Sequence, residues 1–178
     1  GFYPVFAELN NIPFKEIPLK DDFFFFFNDY IGINKTIVIA NPNAPTGIAL
    51  STEEIRQMIK ASPKNKVFIV DEAYADFSTE SAIPLLSEFD NLVIIRTFSK
   101  SLSFAGMRLG YVVSSPKLIN SIFTVKNSFN HFPVDFITQT AGIASCKAYK
   151  YYAENSKKVI EERESLTKEV SPSYDGLW

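Results

Sequence analysis

Cysteine and histidine are almost missing from this chain: Cys146 and His131 are the only ones in 178 residues. A lone cysteine excludes an internal disulfide, and no Cys/His cluster stands at metal-ligand spacing. A reducing cytoplasm suits that usage best. Cys146 falls in the apolar pattern Ala141-Gly142-Ile143-Ala144-Ser145-Cys146 and reads as a small core residue rather than a nucleophile. An excess of one charge sign is lacking as well. The formal net charge of −2 provides no footprint for nucleic acid or an anionic membrane, so neither is expected as a partner. The apolar runs stop far short of a bilayer span, and the amino end lacks the basic, apolar and small-residue order of a signal peptide. An initiator methionine is absent too: the chain opens on Gly1-Phe2-Tyr3-Pro4-Val5-Phe6 and closes on Ser173-Tyr174-Asp175-Gly176-Leu177-Trp178, just after a helical stretch. It reads as a fragment of a longer protein.

What is present suits one sizeable core, with 46% hydrophobic and 21% charged residues. Strand-like and helix-like patterns alternate. Lys35 to Ala40 reads as a buried strand ended by the turn-forming Asn41-Pro42-Asn43-Ala44-Pro45-Thr46-Gly47. Ser51 followed by Glu54 is a capping box, opening a helix with Ile55, Met58 and Ile59 on one face. Val67 to Val70 and Leu92 to Ile95 are the next strands, and Leu109 to Val113 is a fourth. Such alternation predicts an α/β fold, a mostly parallel sheet flanked by helices. From Ser145 onward the charged positions Glu161, Glu162, Arg163, Glu164, Lys168 and Glu169 mark the solvated face of one long helix. The five phenylalanines Phe23 to Phe27 have neither helical nor strand periodicity and call for burial.

Polar groups then gather where three strands end. The Asn43 turn follows the first, Asp71 and Tyr74 the second, and Thr97-Phe98-Ser99-Lys100 with Arg108 the third, the place where open α/β sheets hold their ligands. Singly, each has a plain explanation: Asn43 shapes a turn, Asp71 caps the next segment, Tyr74 packs in the core, Arg108 pairs on the surface, and Lys100 is solvated. Together they supply an amine, a carboxylate, a phenol and a guanidinium. Pyridoxal 5'-phosphate asks for that set. A lysine captures its aldehyde, a carboxylate keeps its ring nitrogen protonated, a phenol or amide donates to its phenolic oxygen, and a guanidinium with hydroxyls holds its phosphate.

The stretches NPNAPTG, VDEAY and TFSKSLSFAGMRLGY, in this order and at these separations, resemble the fold-type I aminotransferases. They are most similar to the histidinol-phosphate aminotransferase family, from Phe2-Tyr3-Pro4-Val5 to the helix near Leu166. The resemblance implies that Lys100 is the Schiff-base lysine and proton shuttle, that Asp71 pairs with the pyridinium nitrogen, and that Tyr74 bonds the phenolic oxygen. Arg108, Ser99 and Thr97 would hold the phosphate. The family's asparagine immediately before the PTG triplet is Ala44 here, so Asn43, one residue earlier, is the candidate in its place. Asn130, in Phe129-Asn130-His131-Phe132, is the candidate near the substrate, and His131 reads as a packing or surface residue. The implied reaction is a ping-pong transamination between a small-molecule amino donor, histidinol phosphate, and a 2-oxo acid, 2-oxoglutarate, in histidine biosynthesis. Residues 1–145 would form the large cofactor-binding domain, incomplete at its amino end, and residues 146–178 a helix leading to a small carboxyl-terminal domain. A homodimer is also implied, and the fragment alone is expected to be inactive.

Two other readings keep part of this picture. An aromatic amino acid aminotransferase or a threonine-phosphate decarboxylase would share the fold and the cofactor. A non-catalytic scaffold would keep the fold alone and would tolerate loss of its lysine, whereas Lys100, Asp71, Tyr74 and Arg108 are all present.

Overall fold

Short β-branched runs make the sheet, and longer amphipathic stretches make the helices around it. The structure, a computed structural model, describes residues 2–21, 23–78 and 80–170. Gly1, Asp22 beside the phenylalanine stretch, the closing segment Ser173 to Trp178 and the last part of the expected long helix, 171–178, lie outside the described residues. The chain runs α1 (Tyr3–Leu9), β1 (Ile37–Ala40), α2 (Thr52–Ala61), β2 (Phe68–Asp71), β3 (Leu92–Thr97), β4 (Gly110–Ser114), α3 (Pro116–Phe129), α4 (Phe136–Lys147) and α5 (Tyr149–Val170). The strands lie in the order β1-β2-β3-β4.

The first three strands are parallel and β4 is antiparallel to β3, so the sheet is mixed, with parallel pairs predominating. Parallel neighbours need a long crossover. The β1–β2 link contains α2, and the β2–β3 link contains two short 3-10 turns, Ala75–Phe77 and Ile83–Ser87. Residues 98–109 instead fold back on themselves and return the chain beside β3. Gly110 makes that return close, since a Cβ there would lie 2.9 Å from the Arg96 carbonyl oxygen.

Ser51 caps α2 as expected. Its hydroxyl accepts the Glu54 N–H while the Glu54 carboxylate accepts the Ser51 N–H, and Ile55, Met58 and Ile59 turn inward onto Ile37, Ile39, Phe68 and Val70. β1 alternates rather than being buried throughout: Val38 is exposed because β1 forms one edge of this sheet. The phenylalanine stretch alternates too. Phe25 and Phe27 pack half-buried against the core, Phe25 stacks on Tyr30 at 4.8 Å, and Phe23, Phe24 and Phe26 face outward.

Two expectations about the helical end are corrected. The stretch from Ser145 onward is not one helix: the Ala148 N–H closes α4 on the carbonyl of Ala144, and α5 begins at Tyr149. Cys146 is exposed rather than in the core. α4 buries Thr138, Gly142 and Ser145, an i, i+4, i+7 stripe, and Cys146 stands one residue off it. No helix among the described residues is long and apolar enough to cross a membrane.

Beyond β1 the chain is clamped by Asn41, which is buried. Its amide donates to the Leu50 carbonyl at 3.1 Å and its side-chain oxygen accepts the Leu50 N–H at 2.7 Å. Asn41→Ala leaves both backbone groups of Leu50 unpaired, so it should destabilise the fold by about 2 kcal/mol or more. The check is a lower denaturation midpoint of the full-length protein, with faster amide exchange in residues 41–50.

Candidate active site

The parallel register sets the floor of the site. Asp71, the last residue of β2, stands level with Ala40 on β1 and Ile95 on β3, so the loops after β1 and β2, and after two more residues the loop after β3, leave the sheet at the same end. The Asn41 N–H donates to the Asp71 carbonyl at 2.9 Å, and the Glu72 N–H to the Ile95 carbonyl at 2.9 Å, carrying the ladder one step further.

Asp71 is held on both carboxylate oxygens. Oδ1 accepts the Ala73 N–H at 3.0 Å, a local turn that matches its plain reading as a cap, and Oδ2 accepts the Tyr3 hydroxyl from α1. Burial first, and then the hydrogen bond to Asp71 and its charge, push the Tyr3 phenol far above its ordinary value. Tyr74 follows on the same loop, and the Lys100 ammonium sits over its ring, 4.8 Å from the centroid. The structure thus brings Tyr74 and Lys100 together, on the loops that follow β2 and β3, with Asp71 at the end of β2.

The lysine loop owes its shape to its own backbone. The Thr97 hydroxyl accepts the Ser99 N–H at 3.1 Å and donates to the Leu109 carbonyl at 3.4 Å. The Phe98 N–H also bonds Leu109, at 3.0 Å, and the Ser103 N–H closes a turn on the Lys100 carbonyl at 3.0 Å. Buried Phe98, Ser101 and Leu102 anchor the loop, while Lys100 between them is exposed. Ser99 is partly buried at its start. Arg108, exposed and in the left-handed region at φ 53°, ends the short turn Ala105–Met107 and donates one guanidinium N–H to the Ala105 carbonyl at 3.0 Å.

Other candidates are placed differently. The Asn43 amide donates to the Thr46 hydroxyl at 2.8 Å, inside its own turn, and its backbone bonds Ile48 and Gly47. Asn130 is exposed at the carboxyl end of α3, its N–H on the Lys126 carbonyl at 2.8 Å. His131 is exposed and lies against the Phe132 ring, with centroids 4.2 Å apart.

Sequence reasoning missed Tyr3, which lies 68 residues from Asp71, and the buried charges beneath the rim. Glu72 is 2% exposed and pairs with Arg96 at 2.7 Å. A signal for them existed: an arginine inside the apolar run Leu92–Thr97 needs a buried counter-charge, and Glu72 is at the end of the neighbouring strand.

The Tyr3 hydroxyl should keep its proton, and its grip on Asp71, through the neutral and mildly alkaline range. Its contribution is fully present below the ordinary phenol value of about 10 and is lost only as pH rises through the higher folded value. In an ultraviolet titration of the cofactor-free full-length protein, the component removed by Tyr3→Phe should appear only above that ordinary value. Its appearance near neutrality would refute the contact.

Comparison with known proteins agrees with this architecture. The family described as Aminotransferase class I and II matches residues 1–176. A histidinol-phosphate aminotransferase of Lactococcus lactis subsp. cremoris is 46% identical over 170 residues, covering 96% of this chain and 48% of that protein. One from Acinetobacter baumannii is 44% identical over 171 residues, covering 96% and 47%. The solved histidinol-phosphate aminotransferase of Sinorhizobium meliloti, in complex with pyridoxal-5'-phosphate, superposes with a TM-score of 0.81 at 24% identity, covering 96% of this chain and 48% of that one, a likeness of fold. The chain spans about half the length of the curated relatives it matches. With a predominantly parallel sheet, a lysine loop beyond its third strand and a family match over almost every residue, the chain belongs to the aminotransferase class I and II family.

Proposed function

We propose that the protein containing this chain is a pyridoxal 5'-phosphate-dependent aminotransferase of histidine biosynthesis. It would move the amino group of histidinol phosphate to 2-oxoglutarate, giving imidazole acetol phosphate and glutamate. The observation that carries the reading is the Lys100 ammonium over the Tyr74 ring at 4.8 Å, on the loop next to the one that begins at Asp71. The choice of substrate rests on the relatives named above, which are histidinol-phosphate aminotransferases. Residues 1–145 would belong to the large domain and α5 would lead towards the small one, in a cytoplasmic homodimer.

The donor set fits the cofactor. Asp71, already accepting from Ala73 and Tyr3, is preorganised to accept one more proton donor, and a ring N–H is such a donor. The Tyr74 hydroxyl would bond the phenolic oxygen. The Thr97 and Ser99 hydroxyls and the Arg108 guanidinium lie along one loop, where they would hold a phosphate. When bound, the cofactor supplies an electron sink for cleavage of the bond to the α-hydrogen. Lys100 would hold the cofactor covalently between turnovers, and its free amine would take the α-proton and deliver it to the cofactor's C4′ carbon. For Asn43 to reach the cofactor, its amide has to leave Thr46. Asn130 would meet the substrate from the end of α3.

Borohydride reduction of the full-length protein loaded with pyridoxal phosphate, followed by peptide mapping, should place the pyridoxyl group on Lys100. No adduct there would overturn the reading and favour a non-catalytic scaffold. Lys100→Ala should lower transamination by about 10³-fold or more, and Arg108→Ala should weaken cofactor binding by about ten- to a hundredfold, the worth of a charged hydrogen bond. Histidinol phosphate should outcompete phenylalanine as amino donor. Equal or better use of phenylalanine would point to an aromatic aminotransferase.

A further inference from the structure

Behind the rim lies a charged chain with no place in the cofactor assignments above. Glu72, whose side chain is 1% exposed, is fully engaged. It accepts the Arg96 Nε at 2.8 Å, the Ala82 N–H at 2.5 Å and the Ser81 hydroxyl at 2.9 Å. Arg96, on β3, reaches the other way to the Asp76 carboxylate with Nη1 at 3.0 Å and to the Ser81 hydroxyl with Nη2 at 3.1 Å. Asp76 in turn accepts the Ser101 hydroxyl.

The sequence positions matter as much as the bonds. Glu72 follows Asp71, Asp76 comes two residues after Tyr74, and Ser101 follows Lys100. Each bond of this underlayer therefore ties down the backbone beside a residue of the rim. A buried carboxylate is tolerated only when paired and hydrogen-bonded, and Glu72 meets both conditions through Arg96. Arg96 suits the task because its rigid fork can hold two carboxylates in one plane. Asp76 and Ser101 form the outer link, a hydrogen bond that crosses from the tyrosine loop to the lysine loop.

We propose that Asp76 and Ser101, braced by the Arg96–Glu72 pair, are positioning residues that set where the Lys100 amine stands over Tyr74. This rests on the cofactor reading above. The brace acts through the backbone: losing the Ser101–Asp76 contact frees the Lys100–Ser101 peptide to move relative to Tyr74, and a misplacement of about 1 Å costs up to a hundredfold in rate.

The test uses full-length Ser101→Ala, Ser101→Thr and Asp76→Asn proteins. Arg96 is left alone, because its loss would strand Glu72 unpaired and unfold the site. Two quantities are read: the rate at which cofactor-free protein captures added pyridoxal phosphate on Lys100, by borohydride trapping and mass mapping, and kcat against KM for the amino donor. Ser101→Ala should slow capture and lower kcat about ten- to a hundredfold with KM nearly unchanged, Ser101→Thr should recover most of both, and Asp76→Asn should fall between. Capture and kcat within twofold of the unsubstituted protein in Ser101→Ala and Asp76→Asn, even with a lowered Tm, would overturn the proposal and leave the network a structural one. Failure of Ser101→Thr to recover either quantity would overturn it as well. Absence of a Lys100 adduct in the unsubstituted protein would instead overturn the cofactor reading.

Discussion

Everything at the rim depends on the parallel register that sets Asp71 level with Ala40 and Ile95. Parallel strands end their ladders on the same side, so three loops must leave the sheet together, each with backbone groups that the ladder no longer satisfies. Those loops find their partners in one another. Asn41 bonds Asp71, Glu72 bonds Ile95, and Asn41 closes on Leu50. A polar, convergent surface is the consequence of ending the parallel ladders at one level, and it exists before any reactive side chain is placed on it.

Features carried by neighbours in sequence were legible. Ser51 and Glu54 stand three residues apart and form the cap that the sequence predicts, and the apolar spacing of Ile55, Met58 and Ile59 puts them in the core. The strands were legible because β-branched runs of four to six residues have few other uses in a folded chain. The direction of β4 was not. Whether β4 runs with β3 or against it depends on how residues 98–109 close, which is settled by the Thr97, Phe98 and Leu109 bonds and by the lack of a Cβ at Gly110. Burial on α4 was misjudged at Cys146 because an apolar composition does not say which stripe faces inward.

In the site, the residue types of the rim were legible because their chemistry is unusual as a set. Their supports were not. Tyr3 meets Asp71 across 68 residues, and Ser101 meets Asp76 across 25, separations at which no local periodicity carries information. Asn43 shows the opposite limit. Its turn was read correctly, yet side-chain direction is decided by the nearest partner, and Thr46 is 2.8 Å away.

The lysine loop also has to hold conformations that its residues do not favour. Ser103 at φ 59° and Arg108 at φ 53° are both left-handed without being glycine, which costs roughly 1–2 kcal/mol each. Such residues persist only where their surroundings over-determine them. Here Phe98 does so. It is 9% exposed, meets Phe104 edge-on at 6.3 Å and Tyr111 at 5.9 Å, and bonds Leu109 through its N–H and Phe104 through its carbonyl. One buried aromatic two residues before Lys100 thus pins both ends of the loop. The left-handed turn at Arg108 then directs the chain from the lysine loop into β4, with its guanidinium closing back on the Ala105 carbonyl.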